Sequence, residues 1–281
     1  MNRECFRQEM NLDIYQVDAF TNKTFGGNPA AVVPLLTWLP DETMFKIAAE
    51  NNLAETAFFV KENDQYHIRW FTPTVEVNLC GHATLASSFV IFEQLKLESE
   101  TIKFHSDRSG SLGVEKKDGK LVLDFPAYPI REIAAMPELA AAIGATPNKT
   151  WESQSNMVIV RLDSEGAVRS LKPDFSALSR LPYDEVICTA LGNDCDFATR
   201  MFAPKIGIPE DPVTGAIHCS LIPYWAGELG KTELFARQVS ARGGELFCEL
   251  DGDRVKIGGN ATLYLKGEIY IEEAFSDAAA R

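Results

Sequence analysis

Two stretches decide the reading of this chain: Arg69-Trp70-Phe71-Thr72-Pro73, continuing through Glu76-Val77-Asn78-Leu79-Cys80-Gly81-His82, and Arg200-Met201-Phe202-Ala203-Pro204, continuing to Glu210-Asp211-Pro212-Val213-Thr214-Gly215. At an offset of 131, Arg69 falls on Arg200, Phe71 on Phe202, Pro73 on Pro204 and Val77 on Ile208. Each stretch begins as an apolar strand, passes a turn and enters a mostly apolar helix through a glycine. A repeated unit of this kind implies two similar halves, since neither unit can bury its helix alone. At the same offset Cys80 falls on Asp211, so each half presents an ionisable side chain near its helix start.

The helices themselves are legible from hydrophobicity. Gly81–Leu95 carries Ala83, Leu85, Ala86, Phe89, Val90, Ile91 and Phe92 on nearly all sides. A helix apolar all round belongs inside the molecule. Thr214–Leu229 reads the same way, with Pro223 expected to kink it. Around them, strands are expected at Leu12–Phe20, Ala30–Val33, Thr56–Val60, Tyr66–Phe71, Thr101–Phe104 and Leu121–Phe125. Further strands are expected at Asn156–Leu162, Glu185–Ala190, Phe197–Phe202, Val255–Ile257, Ala261–Leu265 and Ile269–Ile271. Asp41 is expected to cap a helix reaching about Asn51. Residues 126–137 connect the halves. The first ten residues read as a loose leader outside the fold, with Met10 as an alternative start.

Bulk properties narrow the function. The chain has 281 residues, 46% hydrophobic and 24% charged, enough for a full core. Its net charge of −13 argues against nucleic acid and anionic membranes, which need a basic face. No apolar run approaches the roughly 20 residues of a membrane span, and no signal peptide is evident. The six cysteines then read as reduced thiols of a cytoplasmic protein. No CxxC, GxGxxG, P-loop or HExxH motif is present, so neither a metal nor an organic cofactor is expected.

Several residues can carry chemistry. A helix N-terminus has unpaired amides and positive potential, and two of them facing one cleft would hold a carboxylate and an enolate forming beside it. Asp211 reads as a helix cap or a site group, and Gly81 as a turn or a close approach to ligand. His82, one of four histidines, is a core residue or a proton carrier. Glu55, beside Thr56-Ala57-Phe58-Phe59, is a solvated strand end or a general base in a drier pocket. Cys80 is a small buried residue or a proton-transfer thiol. His218, one turn inside the second helix, reads as a core residue.

At these positions the chain resembles the PhzF-like proteins of phenazine biosynthesis. The likeness is carried by Phe25-Gly26-Gly27-Asn28-Pro29-Ala30-Ala31-Val32, Asn52-Leu53-Ala54-Glu55-Thr56 and the two stretches quoted first. It continues through Gln238-Val239-Ser240-Ala241-Arg242-Gly243-Gly244 and Gly258-Gly259-Asn260-Ala261, spanning about residues 11–272. The resemblance implies an α+β, diaminopimelate-epimerase-like fold. Its two pseudo-symmetric halves are each a barrel-like, mostly antiparallel sheet around a buried helix, with residues 11–127 and 128–266 as the halves and a strand near 267–274 completing the first. It implies a cofactor-free, proton-shifting isomerase, a homodimer acting on a small carboxylate. It assigns Glu55, His82 and Asp211 to catalysis, and Asn28, Cys80, Gly81, Ala83, Thr214, Gly215 and Ala216 to substrate contact. Two departures stand out. Gly215-Ala216-Ile217 replaces the family's Gly-Ser-Ala, losing a hydroxyl. Asp211 stands where related racemases carry a second thiol, so a one-thiol epimerase using Cys80 is the alternative enzyme and a silent binding protein the alternative to an enzyme.

Overall fold

The computed structural model describes residues 7–154 and 156–274. The first half supplies β1 (Arg7–Ala19), β2 (Asn28–Leu35), β3 (Glu55–Glu62), β4 (Gln65–Phe71), β5 (Glu76–Val77), β6 (Thr101–Ser106), β7 (Gly110–Lys117) and β8 (Lys120–Pro126). Next come β9 (Ile130–Glu132), β10 (Lys149–Ser153), β11 (Met157–Arg161), β12 (Glu185–Leu191), β13 (Phe197–Ala203) and β14 (Ile208–Asp211). The chain closes with β15 (Glu233–Gln238), β16 (Gly244–Asp251), β17 (Arg254–Gly259) and β18 (Ala261–Ala274). The helices are α1 (Asp41–Asn51), α2 (Gly81–Phe89), α3 (Pro137–Ile143), α4 (Glu165–Ser170), α5 (Phe175–Leu178) and α6 (His218–Leu229).

The strand pairings show the two halves directly. One row runs β18-β1-β2-β3-β4-β6-β7-β8. The other runs β9-β10-β11-β12-β13-β15-β16-β17. In both, the third pair and the fifth pair are parallel and the rest antiparallel. Antiparallel pairing of β8 with β17 joins the rows. β18 lies on β1 over its whole length, from Ala19↔Ala261 to Arg7↔Ala274. Residues 7–10 are therefore part of a paired strand and not a loose leader: their backbone groups find partners in residues 271–274.

Each row wraps one helix. α2 touches β18 and β8 at the two ends of its row as well as β1, β2 and β3 between them. Inward side chains such as Ala57, Phe59, Ile187 and Met201 join Leu85, Ile91, Leu221 and Trp225 in one continuous core. The outward faces of the same strands are also covered. Phe58 and Val60 pack under α1, and Val186, Cys188 and Ala190 under α3, α4 and α5. A strand covered on both sides has no polar face to show, which is why Thr56–Val60 and Val186–Ala190 read as unbroken apolar runs.

α2 is buried from Gly81 to Ser88 despite its hydroxyls. Thr84, Ser87 and Ser88 each donate to the carbonyl four residues back, at 2.6, 2.8 and 2.8 Å, so no hydroxyl is left unpaired. The helix then widens into a π-helical turn over Val90–Gln94. α6 begins at His218 rather than Thr214, because Gly215, Ala216 and Ile217 form a tighter turn whose carbonyls accept from His218, Cys219 and Ser220. It continues through Pro223, which has no N–H for the Cys219 carbonyl. That carbonyl accepts instead from the Tyr128 amide, at 2.8 Å, in the segment linking the halves. Asp41 is the first helical residue of α1, not its cap; its carboxylate pairs with Arg69 at 2.8 Å.

The turn ahead of β2 depends on Gly27. Its φ is +61°, and a Cβ there would lie 2.0 Å from the Ala19 carbonyl oxygen. Gly27→Ala should lower the unfolding free energy by about 2–5 kcal/mol, combining left-handed strain with a backbone clash. Gly227, inside α6 with nothing within 4 Å of a new Cβ, is the control. Gly227→Ala should stabilise by about 1 kcal/mol. Urea denaturation of both variants measures this; similar effects of the two would refute the turn argument.

Candidate active site

The site forms where the two helix starts meet. A Cβ built on Gly81 would lie 3.7 Å from the Gly215 Cα, and one on Gly215 would lie 3.8 Å from the Gly81 Cα. The two bare backbones meet at the junction of the halves, and the candidate crevice is the place where they meet. The local symmetry is closer than a single offset suggests. Arg69 holds Glu76 through two hydrogen bonds, at 2.8 and 3.0 Å, and Arg200 holds Glu210 the same way, at 2.7 and 2.8 Å. Thr84 donates to the Cys80 carbonyl, and the His218 Nδ1–H donates to the Thr214 carbonyl at 2.9 Å. The equivalence therefore shifts from 131 to 134 between strand and helix. Three extra residues in the Pro204–Gly207 turn account for it, and Cys80 corresponds to Thr214, not to Asp211.

Into this crevice the fold directs three ionisable groups from different elements. Glu55 opens β3 on its inward face, His82 lies in the first turn of α2, and Asp211 ends β14. Their exposures are 8%, 5% and 6%. His82 Nε2 lies 3.1 Å from Glu55 Oε2. That oxygen has no well-aligned hydrogen bond, and the contact is an ion pair when His82 carries its second proton. Asn28, wholly buried at the start of β2, links the halves. Its Nδ2 donates to Asp211 Oδ1 at 2.8 Å and to the Val213 carbonyl at 2.9 Å. Those two oxygens take both amide hydrogens and fix which end of the carboxamide is nitrogen. His82 Nδ1, 3.2 Å from the same nitrogen, then has Cys80 Sγ at 3.5 Å as its other neighbour.

Asp211 is held from the other side as well. Thr214 Oγ1 donates to its Oδ2. Gln238, buried on β15, donates from Nε2 to the Asp211 carbonyl and accepts the Thr214 amide on Oε1, both at 2.8 Å. Asp211 is thus a strand-end carboxylate in a hydrogen-bonded frame and not a helix cap. Gln238 sits in one of the motifs quoted above, but nothing in its own sequence context marked it. Ala83 is wholly buried inside α2, whereas Ala216 is exposed in the turn before α6.

Burial sets the protonation states. Desolvation and the nearby Glu55 charge push the Cys80 thiol up, so it stays a thiol near neutral pH. Burial alone would lower His82, but its acidic neighbours outweigh that and raise it well above its ordinary value. With Cys80 neutral, the charge that sustains a His82 imidazolium is Glu55's. Desolvation raises Asp211 to about 6, against the pull of His82, Thr214 and Asn28. His218 is lowered to about 4 by burial and is neutral. Glu55, Cys80 and His82 bring three donor atoms within 4.8 Å of one another, a spacing that could hold a metal. Ligation would need a thiolate and a bare imidazole nitrogen, so a metal would have to displace protons from Cys80 and His82.

A sequence profile of the phenazine biosynthesis-like protein family matches residues 17–267. The chain belongs to that family. An uncharacterized isomerase of Pseudomonas aeruginosa is 53% identical over 260 residues, covering 92% of this chain and 99% of its own. A crystal structure of a PhzF-family phenazine biosynthesis protein from Enterococcus faecalis superposes with a TM-score of 0.91 at 48% identity, covering 93% of this chain and all of that one. A predicted epimerase of Pseudomonas aeruginosa, at 16% identity and a TM-score of 0.69 over 92% of this chain and 99% of that one, shares the fold alone. The fold is diaminopimelate-epimerase-like, and the likeness to the isomerase relative supports an isomerase as the broad class.

The raised Asp211 has a thermodynamic signature. Its folded pKa of about 6 exceeds its ordinary 3.8, so the native state binds the proton more tightly than the unfolded chain. Stability is then lost as pH rises between those values, on the order of 3 kcal/mol for one buried carboxyl. Asp211→Asn should remove this slope, so the wild type should weaken relative to the variant from about pH 4 to about pH 6 and run parallel above that. Urea unfolding across this range tests it; parallel curves throughout would show that Asp211 is not desolvated.

Proposed function

We propose that the protein is a cofactor-independent isomerase that shifts a proton on a small carboxylate-bearing carbon acid, with Glu55 as the general base. The observation that carries this reading is the buried contact of Glu55 with His82 in the crevice between two helix starts. Glu55 is buried at the head of β3, so an acidic C–H seated against it would meet the carboxylate with little competing water. Glu55 takes the C–H proton, the electron pair left on carbon spreads into the substrate carboxylate as an enolate, and a proton is then returned to the substrate. The amides of the two helix approaches and the His82 imidazolium face that developing charge. Asp211 and Asn28 hold His82 and the substrate in register, and no step calls on a metal.

The family likeness supports a homodimer working in the cytoplasm. Among the described residues no helix is long and apolar enough to cross a membrane. The alternative in which Cys80 is the base is weakened by the raised thiol and its position against His82. A binding protein would have no need of Glu55, His82 and Asp211 in one dry crevice.

Glu55→Gln should keep the fold and lower turnover by about 10²–10⁴-fold, since the amide matches the carboxylate in shape but cannot cycle a proton. A screen of carbon-acid carboxylates in D₂O, read by deuterium uptake with and without chelator, tests this. The wild type should exchange a substrate C–H in both conditions, and the variant should not exchange the C–H that faces Glu55. Near-normal exchange by Glu55→Gln, with Cys80→Ser inactive, would assign the base to the thiol.

A further inference from the structure

The row symmetry assigns a partner to Glu55 in the other half. β2 and β3 pair in parallel with Ala30 opposite Glu55, and β11 and β12 pair in parallel with Met157 opposite Glu185. Each glutamate is the first residue of its strand. Each lies on the inward face, since Ala57 and Phe59 follow Glu55 into the central core and Ile187 follows Glu185. Each is next to the strand that leads to its half's buried helix: Thr56↔Phe71 in one half, Val186↔Phe202 in the other. The fold therefore places two carboxyls in equivalent positions about the crevice at Gly81 and Gly215.

Their surroundings differ. At the offset of 134 that governs the helix starts, His82 corresponds to Ala216. Glu55 has an imidazole against it, and Glu185 has none. Glu185 Oε2 is buried with no hydrogen-bond partner. Burial first, then the charges of Asp211 and Asp184, raise its carboxyl to about 7. A buried carboxyl oxygen left without a partner costs stability.

We propose that Glu185 is a second proton-carrying group of the same crevice, acting on the face of the substrate opposite Glu55, so that the substrate is a chiral carboxylate inverted at its acidic carbon. This rests on the reading of Glu55 as base. The ionised Glu55 takes the C–H proton, and the bond's electron pair passes into the enolate. The neutral Glu185 carboxyl gives its own proton to the other face of the same carbon, and the pair re-forms a C–H bond. One proton is taken and one given, and solvent exchange resets the two carboxyls without any oxidant or cofactor. The reverse direction uses the same groups with roles exchanged.

Two measurements test this. Protein carrying ¹³C at glutamate side-chain carboxyls is titrated with acetate as a carboxylate probe. The Glu55 and Glu185 signals, identified by their loss in Glu55→Gln and Glu185→Gln, should both move. A shift of Glu55 alone overturns the inference and leaves the base assignment standing; a shift of neither overturns both. Separate D and L forms of α-amino and α-hydroxy acids are then offered in D₂O. For any acid that the unaltered enzyme exchanges, Glu185→Gln should invert about 10²–10⁴-fold more slowly yet still exchange one enantiomer with retention, and Glu55→Gln should exchange only the other. Inversion by Glu185→Gln at the normal rate, or wild-type exchange of one enantiomer without inversion, rules Glu185 out.

Discussion

A carboxylate withdrawn from water must be matched by positive charge or hydrogen bonds, and the contact of Glu55 with His82 is where this molecule meets that requirement. Everything else in the crevice follows from it. The His82 imidazolium is itself desolvated, so Asp211 is brought from the other half to within its field. Asp211 in turn needs Asn28, Thr214 and Gln238 to satisfy its lone pairs. The chain of dependence crosses the junction of the halves twice. Neither half contains the whole candidate site, and on the proposed reading the pairing of β8 with β17 and the Asn28 bridge serve the chemistry as well as the fold.

The backbone is close to twofold symmetric and the side chains are not. Arg69 with Glu76 and Arg200 with Glu210 brace equivalent turns, and Thr84 and His218 close equivalent helix starts. The side chains that the proposed function calls on lie at the breaks: His82 against Ala216, Cys80 against Thr214, Val77 against Asp211. A duplicated scaffold supplies two opposed positions at low cost in new structure, and substitution then makes one half hold an ion pair while the other holds a carboxyl without a counterion.

Much of this was legible in the residues. The apolar runs Thr56–Val60 and Glu185–Ala190, and the all-round apolar character of Gly81–Leu95, report strands and helices covered on every side, and hydrophobicity reads such burial directly. Glu55, His82 and Asp211 came from motif resemblance, since composition cannot tell a buried acid from a solvated one. The pairing of Cys80 with Asp211 was wrong because seven residues separate Arg69 from Glu76 and ten separate Arg200 from Glu210, a difference that a fixed offset hides. Asp41 looked like a cap because caps and first-turn acids share residue types, and only the contact with Arg69 separates them. The early part of β1 was missed because its partner lies some 260 residues away in sequence, from Arg7 to Ala274. Glu185, like Glu55, is an acid that opens an apolar strand, but Asp184 beside it makes the pair read as a solvated strand end.

The central claim is that Glu55 is ionised in a dry crevice and holds His82 as an imidazolium. ¹⁵N NMR of the His82 ring through a pH titration tests it most directly. This account predicts that both ring nitrogens remain protonated through neutral pH in the wild type, and that Glu55→Gln shifts the ring toward its neutral form at the same pH. A neutral His82 ring at pH 7 in the wild type, unchanged by Glu55→Gln, would contradict it.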